Sequence, residues 1–394
     1  MKILHTSDWH VGRTFHQYST IEAIQQVLAE FPKLINLHKI DVVIVAGDIY
    51  DLTNPAPDAV ITLKESLTRI LETGAKIVMT TGNHDSAARL GFAGAFSSLA
   101  GLYLVTEPEN IGSPIKLSDE HGAVDFYGIP FLQPDLVRNL PWMPEDVKNQ
   151  NHVIGAAMDV IRTEIDKSKK SGTRSIVIAH TFVAGGETES SDSERAITKD
   201  PLIAGGVDVV PVSVFKGPDY VALGHIHSRK ELAENIRYSG AILHNSFKEA
   251  SKPRGGWLVS LDAKGLSAVD WIDLPIPRPL VEIRGTFAEL LSDPKFEKYC
   301  NYYVRAIYTD PAREIDPMVR LKKRFEWCAD VLHEPSTIHE NSKESYREKI
   351  HGKSDLEIIK TFLPDTRNGE EATPEEIKLI EEVIAEYQTG RLLS

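Results

Sequence analysis

Five short runs in this 394-residue chain carry side chains able to hold metal ions. They are Ser7-Asp8-Trp9-His10-Val11-Gly12-Arg13, Gly47-Asp48-Ile49-Tyr50-Asp51, Gly82-Asn83-His84-Asp85, Ala179-His180 and Gly224-His225-Ile226-His227. Together they offer Asp8, Asp48 and Asn83 with His10, His84, His180, His225 and His227. Imidazole and carboxylate donors without thiolates suit manganese, zinc or iron better than a soft metal. So many donors fit a pair of divalent cations roughly 3.5–4 Å apart, an arrangement that holds both the attacking and the leaving oxygen of a phosphoryl displacement. In D-x-H and H-x-H, residues two apart on an extended chain point the same way, so both reach one side of a site. Gly12, Gly47, Gly82 and Gly224 permit tight turns beside it. Singly, each run has an ordinary reading: G-D-x-x-D as a turn or helix cap, G-N-H-D as a structural turn, His180 as a satisfied strand-end histidine. The five in this order, each after an apolar run, favour the dimetal site. His5, His16, His38, His121, His152, His244, His333, His339 and His351 lack such context and read as ordinary histidines.

Strands ending at these runs would position them. β-branched stretches at Lys2–Leu4, Asp41–Ala46, Lys76–Thr80, Val124–Ile129, Ser175–Ala179 and Tyr220–Leu223 alternate with helical periodicity at Thr20–Leu37, Pro57–Glu72 and His152–Lys169. That alternation predicts an α/β fold, with helices covering mixed sheets and ligands at the carboxyl ends of strands. Strand-like runs at Tyr238–Leu243, Gly256–Leu261 and Ala268–Leu274 have no long helix between them, which predicts an antiparallel portion. Three prolines in Pro275–Pro279 mark a connector. Beyond it, Tyr302–Tyr308 reads as a strand and Pro317–Cys328 as a helix, and capping boxes at Ser354-Asp355-Leu356-Glu357 and Thr373-Pro374-Glu375-Glu376 announce two more helices. The expected division is residues 1–275, which carry the five runs; 276–350, a smaller α+β domain; and 351–394, C-terminal helices.

Composition narrows the function. Lysine and arginine number 44 against 57 aspartate and glutamate, a net charge of −13, which excludes a protein that coats nucleic acid by bulk positive charge. Residues 101–150 and 351–394 each carry a net −5, whereas residues 201–350 are neutral. No apolar run approaches the ~20 residues needed to cross a bilayer. Two cysteines, Cys300 and Cys328, form no disulfide framework. With no signal-peptide pattern at the N-terminus, a cytoplasmic protein without membrane association is expected.

At the five runs the chain resembles the calcineurin-like metallophosphoesterase superfamily and, through M-K-I-L-H-T-S-D-W-H-V-G-R, G-D-I-Y-D and Tyr238-Ser239-Gly240, the bacterial SbcD nucleases of double-strand-break repair. The resemblance implies a layered sandwich, with residues 1–275 as a dimetal phosphoesterase (nuclease) domain and 276–350 as an appended capping and DNA-contact domain. It implies one metal on Asp8, His10, Asp48 and His227 and another on Asp48, Asn83, His180 and His225, with Asp48 bridging. Manganese would be preferred, with magnesium, zinc and iron left open. His84 matches the catalytic histidine, which stabilises the transition state or protonates the leaving oxygen. Asp51 stands where archaeal and eukaryotic relatives carry a second histidine, and Ala241-Ile242 where bacterial ones continue Ser-Pro.

Implied too are 3′ to 5′ degradation of double-stranded DNA ends, nicking of single strands and hairpins, and an SbcC-type SMC-like ATPase partner in a complex holding two copies of each protein. The helices at Ser354–Phe362 and Thr373–Tyr387 are candidates for docking that partner, or for packing on their own domain. Candidate DNA contacts are Arg13, Arg229, Lys230, Lys252, Arg254, Lys322, Lys323 and Arg324. A phosphatase or cyclic-nucleotide phosphodiesterase, and a non-catalytic DNA-end scaffold, are the rival readings.

Overall fold

The computed structural model describes residues 1–92, 94–184, 209–335, 352–366 and 371–388. Its strands in chain order begin with β1 (Lys2–Thr6), β2 (Thr14–Phe15), β3 (Tyr18–Ser19), β4 (Val42–Ala46), β5 (Lys76–Thr80) and β6 (Leu102–Val105). Next come β7 (Ile115–Asp119), β8 (Gly122–Ile129), β9 (Arg174–His180), β10 (Tyr220–Gly224), β11 (Lys230–Ala233) and β12 (Ile236–Tyr238). The series ends with β13 (Gly255–Asp262), β14 (Gly265–Asp273), β15 (Leu280–Gly285), β16 (Tyr303–Tyr308) and β17 (Cys328–His333).

Two six-stranded sheets dominate Met1–Pro279, ordered β14-β13-β1-β4-β5-β6 and β11-β12-β10-β9-β8-β7. Strands β1, β4, β5 and β6 run parallel, as do β8, β9, β10 and β12. All five residues of β4 are buried, as a strand covered on both faces requires. Ile3, Val42, Ile44, Phe126, Ile176, Ile178, Tyr220 and Val259 fill the space between the sheets. The outer face of the first sheet packs on Val27, Phe31, Leu63 and Ile70 from the helices Ile21–Leu28, Phe31–His38 and Pro57–Leu71. The other sheet is covered by Val153, Ala157 and Ile161 of the helix Gln150–Lys169, whose start is capped by Asn149 accepting from the His152 N–H at 3.0 Å. The result is a four-layer sandwich of helix, sheet, sheet and helix: the layered α/β domain expected from the alternating pattern, in the sandwich form that the family resemblance implies.

Three local expectations are corrected. The helix predicted over Thr20–Leu37 is two helices, parted at Ala29-Glu30, because Pro32 has no N–H to continue the preceding turn. Tyr238–Leu243 keeps only Tyr238 in a strand, since Gly240 takes φ 78° and the Ala241 N–H turns back to the His227 carbonyl at 3.1 Å. Pro317–Cys328 is helical only to Lys322; Cys328 instead opens β17, where pairing with Val304 of β16 buries it. The antiparallel portion exists as the β13–β14 hairpin, and it joins the first sheet beside β1.

Leu280–Ser394 forms a second unit. Its three strands β15, β16 and β17 are all parallel, with the helices Phe287–Ser292 and Pro317–Lys322 in the crossovers. Here helices alternate with strands instead of segregating from them. The helices Asp355–Thr366 and Pro374–Gln388 start at the two expected boxes: Ser354 N–H donates to Glu357 at 2.8 Å and Thr373 N–H to Glu376 at 2.9 Å. Among the described residues no helix is long and apolar enough to cross a membrane.

Candidate metal centre

The carboxyl ends of β1, β4, β5, β9 and β10 meet where the two sheets face each other. Backbone bonds lace the first two motif loops together: Asp8 N–H to Gly47 O at 3.0 Å, His10 N–H to Asp48 O at 3.0 Å and Val11 N–H to Ile49 O at 2.9 Å. Across the sheets, His180 Nδ1 donates to Ala46 O at 2.9 Å, and the His225 N–H donates to Asp8 Oδ1 at 3.1 Å.

The D-x-H segment is not extended. Asp8 and His10 take φ 51° and 43°, Asp48 49° and His225 105°, all in the sparsely populated left-handed region that Asp and His tolerate better than most residues. Between the two donors, Trp9 is buried on the helix side, edge-on to Phe31 at 5.5 Å, its Nε1–H donating to Thr6 Oγ1 at 3.1 Å. Ile226, between His225 and His227, is likewise buried in the core of the second sheet. Core anchoring of the middle residue, rather than strand alternation, thus sends both neighbours toward the site.

Donor atoms of Asp8, His10 and His227 lie within 4.8 Å of one another, as do those of Asp8, Asp48 and His180, and those of His10, Asp48 and His84. His10 Nε2 and His227 Nε2 are 3.1 Å apart. Asn83 Oδ1 is 3.0 Å from His180 Nε2 and 3.2 Å from His225 Nδ1. All seven expected ligands and His84 therefore converge. His84 is held by its N–H donating to Asp48 Oδ1 at 2.9 Å and by Nδ1 donating to the Asp51 carbonyl at 2.8 Å.

This donor set fits cations. Because a carbonyl only accepts, the proton of His180 sits on Nδ1, and its Nε2 lone pair faces Asn83 Oδ1 and, at 3.3 Å, Asp48 Oδ2. Asp48 Oδ2 is buried with no hydrogen bond of good geometry among the described residues, although His10 Nε2 is also only 3.6 Å away. Lone pairs turned on one another out of water need a positive charge between them. In the metal-free protein the potential shows as proton affinity. Burial alone would lower the His180 imidazole, but the Asp48 carboxylate beside it lifts it to about 9. Burial would raise Asp48, yet His180, His10 and His84 hold it well below the usual carboxylate range. Divalent ions bound by such donors supply charge that polarises a phosphoryl oxygen and activates water.

Three supporting residues carry no ligand role in the sequence reading. Asp85 clips the loops together, accepting N–H groups of Gly82, Tyr50 and Ile49 at 2.8, 2.9 and 3.1 Å; burial and the Asp48 charge raise its carboxyl to about 7. Asp51 pairs with Arg13 at 2.7 Å. Both aspartates lie inside the motif runs. Glu249, buried 3.8 Å from His227 Nδ1 and 2.8 Å from Arg254, follows no motif, and only the fold brings it there.

The basic candidates divide. Arg254 is 2% exposed, pairs with Glu249, and donates to the carbonyls of His227 and Ala241; it is a structural strut and not a DNA contact. Arg324 likewise caps the carbonyls of Leu290 and Asp293 at 3.1 and 2.7 Å. Both are corrected for the same reason: their Nη donors are engaged by backbone carbonyls and by the carboxylates of Glu249 and Glu297. Arg13 is half-buried against Asp51. Arg229 is exposed, with its guanidinium 4.7 Å over the Trp271 ring; Lys323 is exposed, and Lys230, Lys252 and Lys322 are half-buried.

The profile of the calcineurin-like phosphoesterase family matches residues 1–229, the stretch that builds this site. The chain belongs to the calcineurin-like phosphoesterases. As a member of that family it is a phosphoester-hydrolysing enzyme, and a second profile, the type 5 capsule protein repressor C-terminal domain, matches residues 276–367. This phosphoesterase is 29% identical over 364 residues to the SbcD component of the nuclease SbcCD from Staphylococcus epidermidis, covering 92% of each chain. Among solved structures it is similar to a dimetal phosphatase from Danio rerio, with a TM-score of 0.40 and 12% identity over 70% of this chain and 99% of that one.

Proposed function

We propose that this phosphoesterase is a DNA nuclease working with an SbcC-type ATPase in the processing of DNA ends. It cleaves phosphodiester bonds as a 3′ to 5′ exonuclease on duplex ends and as an endonuclease on single strands and hairpins. The observation that carries this reading is similarity to a nuclease component over 92% of both chains, in a chain whose seven metal donors converge at one edge. Two divalent ions, manganese foremost, are assigned to Asp8, His10, Asp48 and His227, and to Asp48, Asn83, His180 and His225.

The side chains have distinct tasks in this reading. Asp48, central to the donor set, spans both ion sites. His84, whose Nδ1 is engaged by the Asp51 carbonyl, delivers to the leaving oxygen a proton taken up at Nε2. Arg229, laid flat on Trp271, is the foremost phosphate contact among the basic residues. A second copy of the chain covers the apolar face of Phe92, Phe96 and Leu99, which are 89%, 78% and 89% exposed. A cytoplasmic location belongs to the same reading.

Side-by-side assays with Mn2+ on a hairpin duplex, a cyclic nucleotide and a phosphopeptide test the proposal. Cleavage of the hairpin is expected. Turnover confined to either small substrate assigns the site to another phosphoesterase class, and no turnover of any of the three favours the scaffold.

A further inference from the structure

Asp51 closes the G-D-I-Y-D box and faces two histidines with two different groups. Its carboxylate oxygen lies 3.2 Å from His10 Nδ1 and 2.7 Å from Arg13 Nη1. Its backbone carbonyl accepts from His84 Nδ1 at 2.8 Å. The His10 and His84 rings stand edge-on, with centroids 4.9 Å apart and planes at 90°. A carbonyl only accepts, so His84 carries a proton on Nδ1. His10 Nδ1 is buried with no hydrogen bond of good geometry among the described residues, and the Asp51 carboxylate 3.2 Å away is the charge that favours a proton there and a lone pair on Nε2. In His10 that lone pair faces His227 and Asp48. Arg13, its side chain 12% exposed against 18% for Asp51, keeps the carboxylate ionised and in place. The Asp51 N–H is tied to Val11 O at 3.3 Å, so the residue is fixed at both its main chain and its side chain.

We infer that Asp51 is a positioning residue for the dimetal centre, with its Arg13-anchored carboxylate setting the tautomer and orientation of His10, and its carbonyl setting those of His84. The inference rests on the dimetal reading above. It also gives Arg13 a task other than touching DNA. Carboxylates behind metal-binding imidazoles orient the ring and make its free nitrogen a better donor. One residue thereby couples ion affinity to the placement of the proton donor, and the two arms are separable: substitution removes the carboxylate and leaves the carbonyl.

Metal-free wild type, Asp51→Asn and Arg13→Gln would be titrated with Mn2+ by calorimetry, and with Co2+ by visible absorption. Wild type is expected to bind two ions. Asp51→Asn should bind one of the two about 10–100-fold more weakly, with a shifted Co2+ band, as loss of an outer partner does. Arg13→Gln should weaken the same ion to a smaller degree. His84→Gln should lower turnover while leaving both affinities in place, which separates the two arms. Wild type binding fewer than two ions would sink the dimetal reading itself. Two ions in wild type, bound within about twofold as well by Asp51→Asn with an unmoved band, would overturn the role of Asp51 alone. If Asp51→Asn fails to fold, Arg13→Gln decides by the same two readouts.

Discussion

His5 and His180 are both sealed from solvent, yet they titrate in opposite directions. Burial dominates at His5, whose ring nitrogens meet the neutral Tyr220 Oη at 2.9 Å and Leu223 carbonyl at 3.2 Å, and with the Arg237 charge adding to it the imidazole falls to about 3. At His180 the Asp48 charge outweighs the same burial. The His5 shift is a statement about acid stability. Between its ordinary value near 6.5 and about 3, the unfolded chain binds a proton that the folded chain refuses, so stability falls as pH falls, by on the order of 5 kcal/mol across that window. Urea denaturation from pH about 7 down to about 4 should show this limb, and His5→Gln should flatten it; an equally steep limb in the variant removes His5 as its source. At the site, His84→Gln should keep both ions in metal analysis while turnover drops about 10²–10⁴-fold, as for a lost proton donor. Asn83→Ala should bind fewer ions instead. A metal-depleted His84→Gln contradicts the separation of roles.

Among elements, the parallel strands matter because their ends set the spacing of the donors. Gly224 ends β10 against β4: a Cβ there would lie 1.9 Å from the Ala46 carbonyl and 2.9 Å from His180 Nδ1. Gly224→Ala should therefore push the two sheets apart at the site, lower stability by about 1–3 kcal/mol and weaken Mn2+ binding; chemical denaturation and calorimetry read the two effects, and wild-type values in both would show that this approach is not needed. The strand cores are legible in the sequence because unbroken apolar runs such as Val42–Ala46 are local signals. Short edge strands are not: Leu102–Val105, Lys230–Ala233 and Cys328–His333 carry mixed sequences whose pairing partners decide their conformation. The helix expected through Cys328 gives way to a strand for that reason. The D-x-H run departs from the extended form because its direction depends on where Trp9 finds a core, which lies in a helix 22 residues away at Phe31.

For the whole molecule, the net charge of −13 reads, on the proposed function, as the background for divalent cations that would add positive charge at the edge where a phosphodiester must come. Acidic segments at 101–150 and 351–394 would discourage indiscriminate DNA binding elsewhere. Association is predicted at two surfaces. Phe92→Glu with Phe96→Glu should turn a dimer into a monomer by light scattering, with both ions still bound; a monomeric wild type refutes the patch as an interface. Deleting 351–394, which removes the half-exposed Phe362, Leu379 and Val383 with Tyr387, should abolish co-purification of the ATPase; undiminished recovery assigns those helices to their own unit. The sequence by itself determined the donor types, their order and the strand ends that carry them, because donor chemistry, apolar runs and capping boxes are written in neighbouring residues. Tertiary structure alone decided which charges are available. Arg254 and Arg324 are spent on carbonyls, Glu249 stands behind His227, and Asp51 joins Arg13, His10 and His84, since burial and pairing between distant segments are properties of the packed chain and leave no trace in spacing.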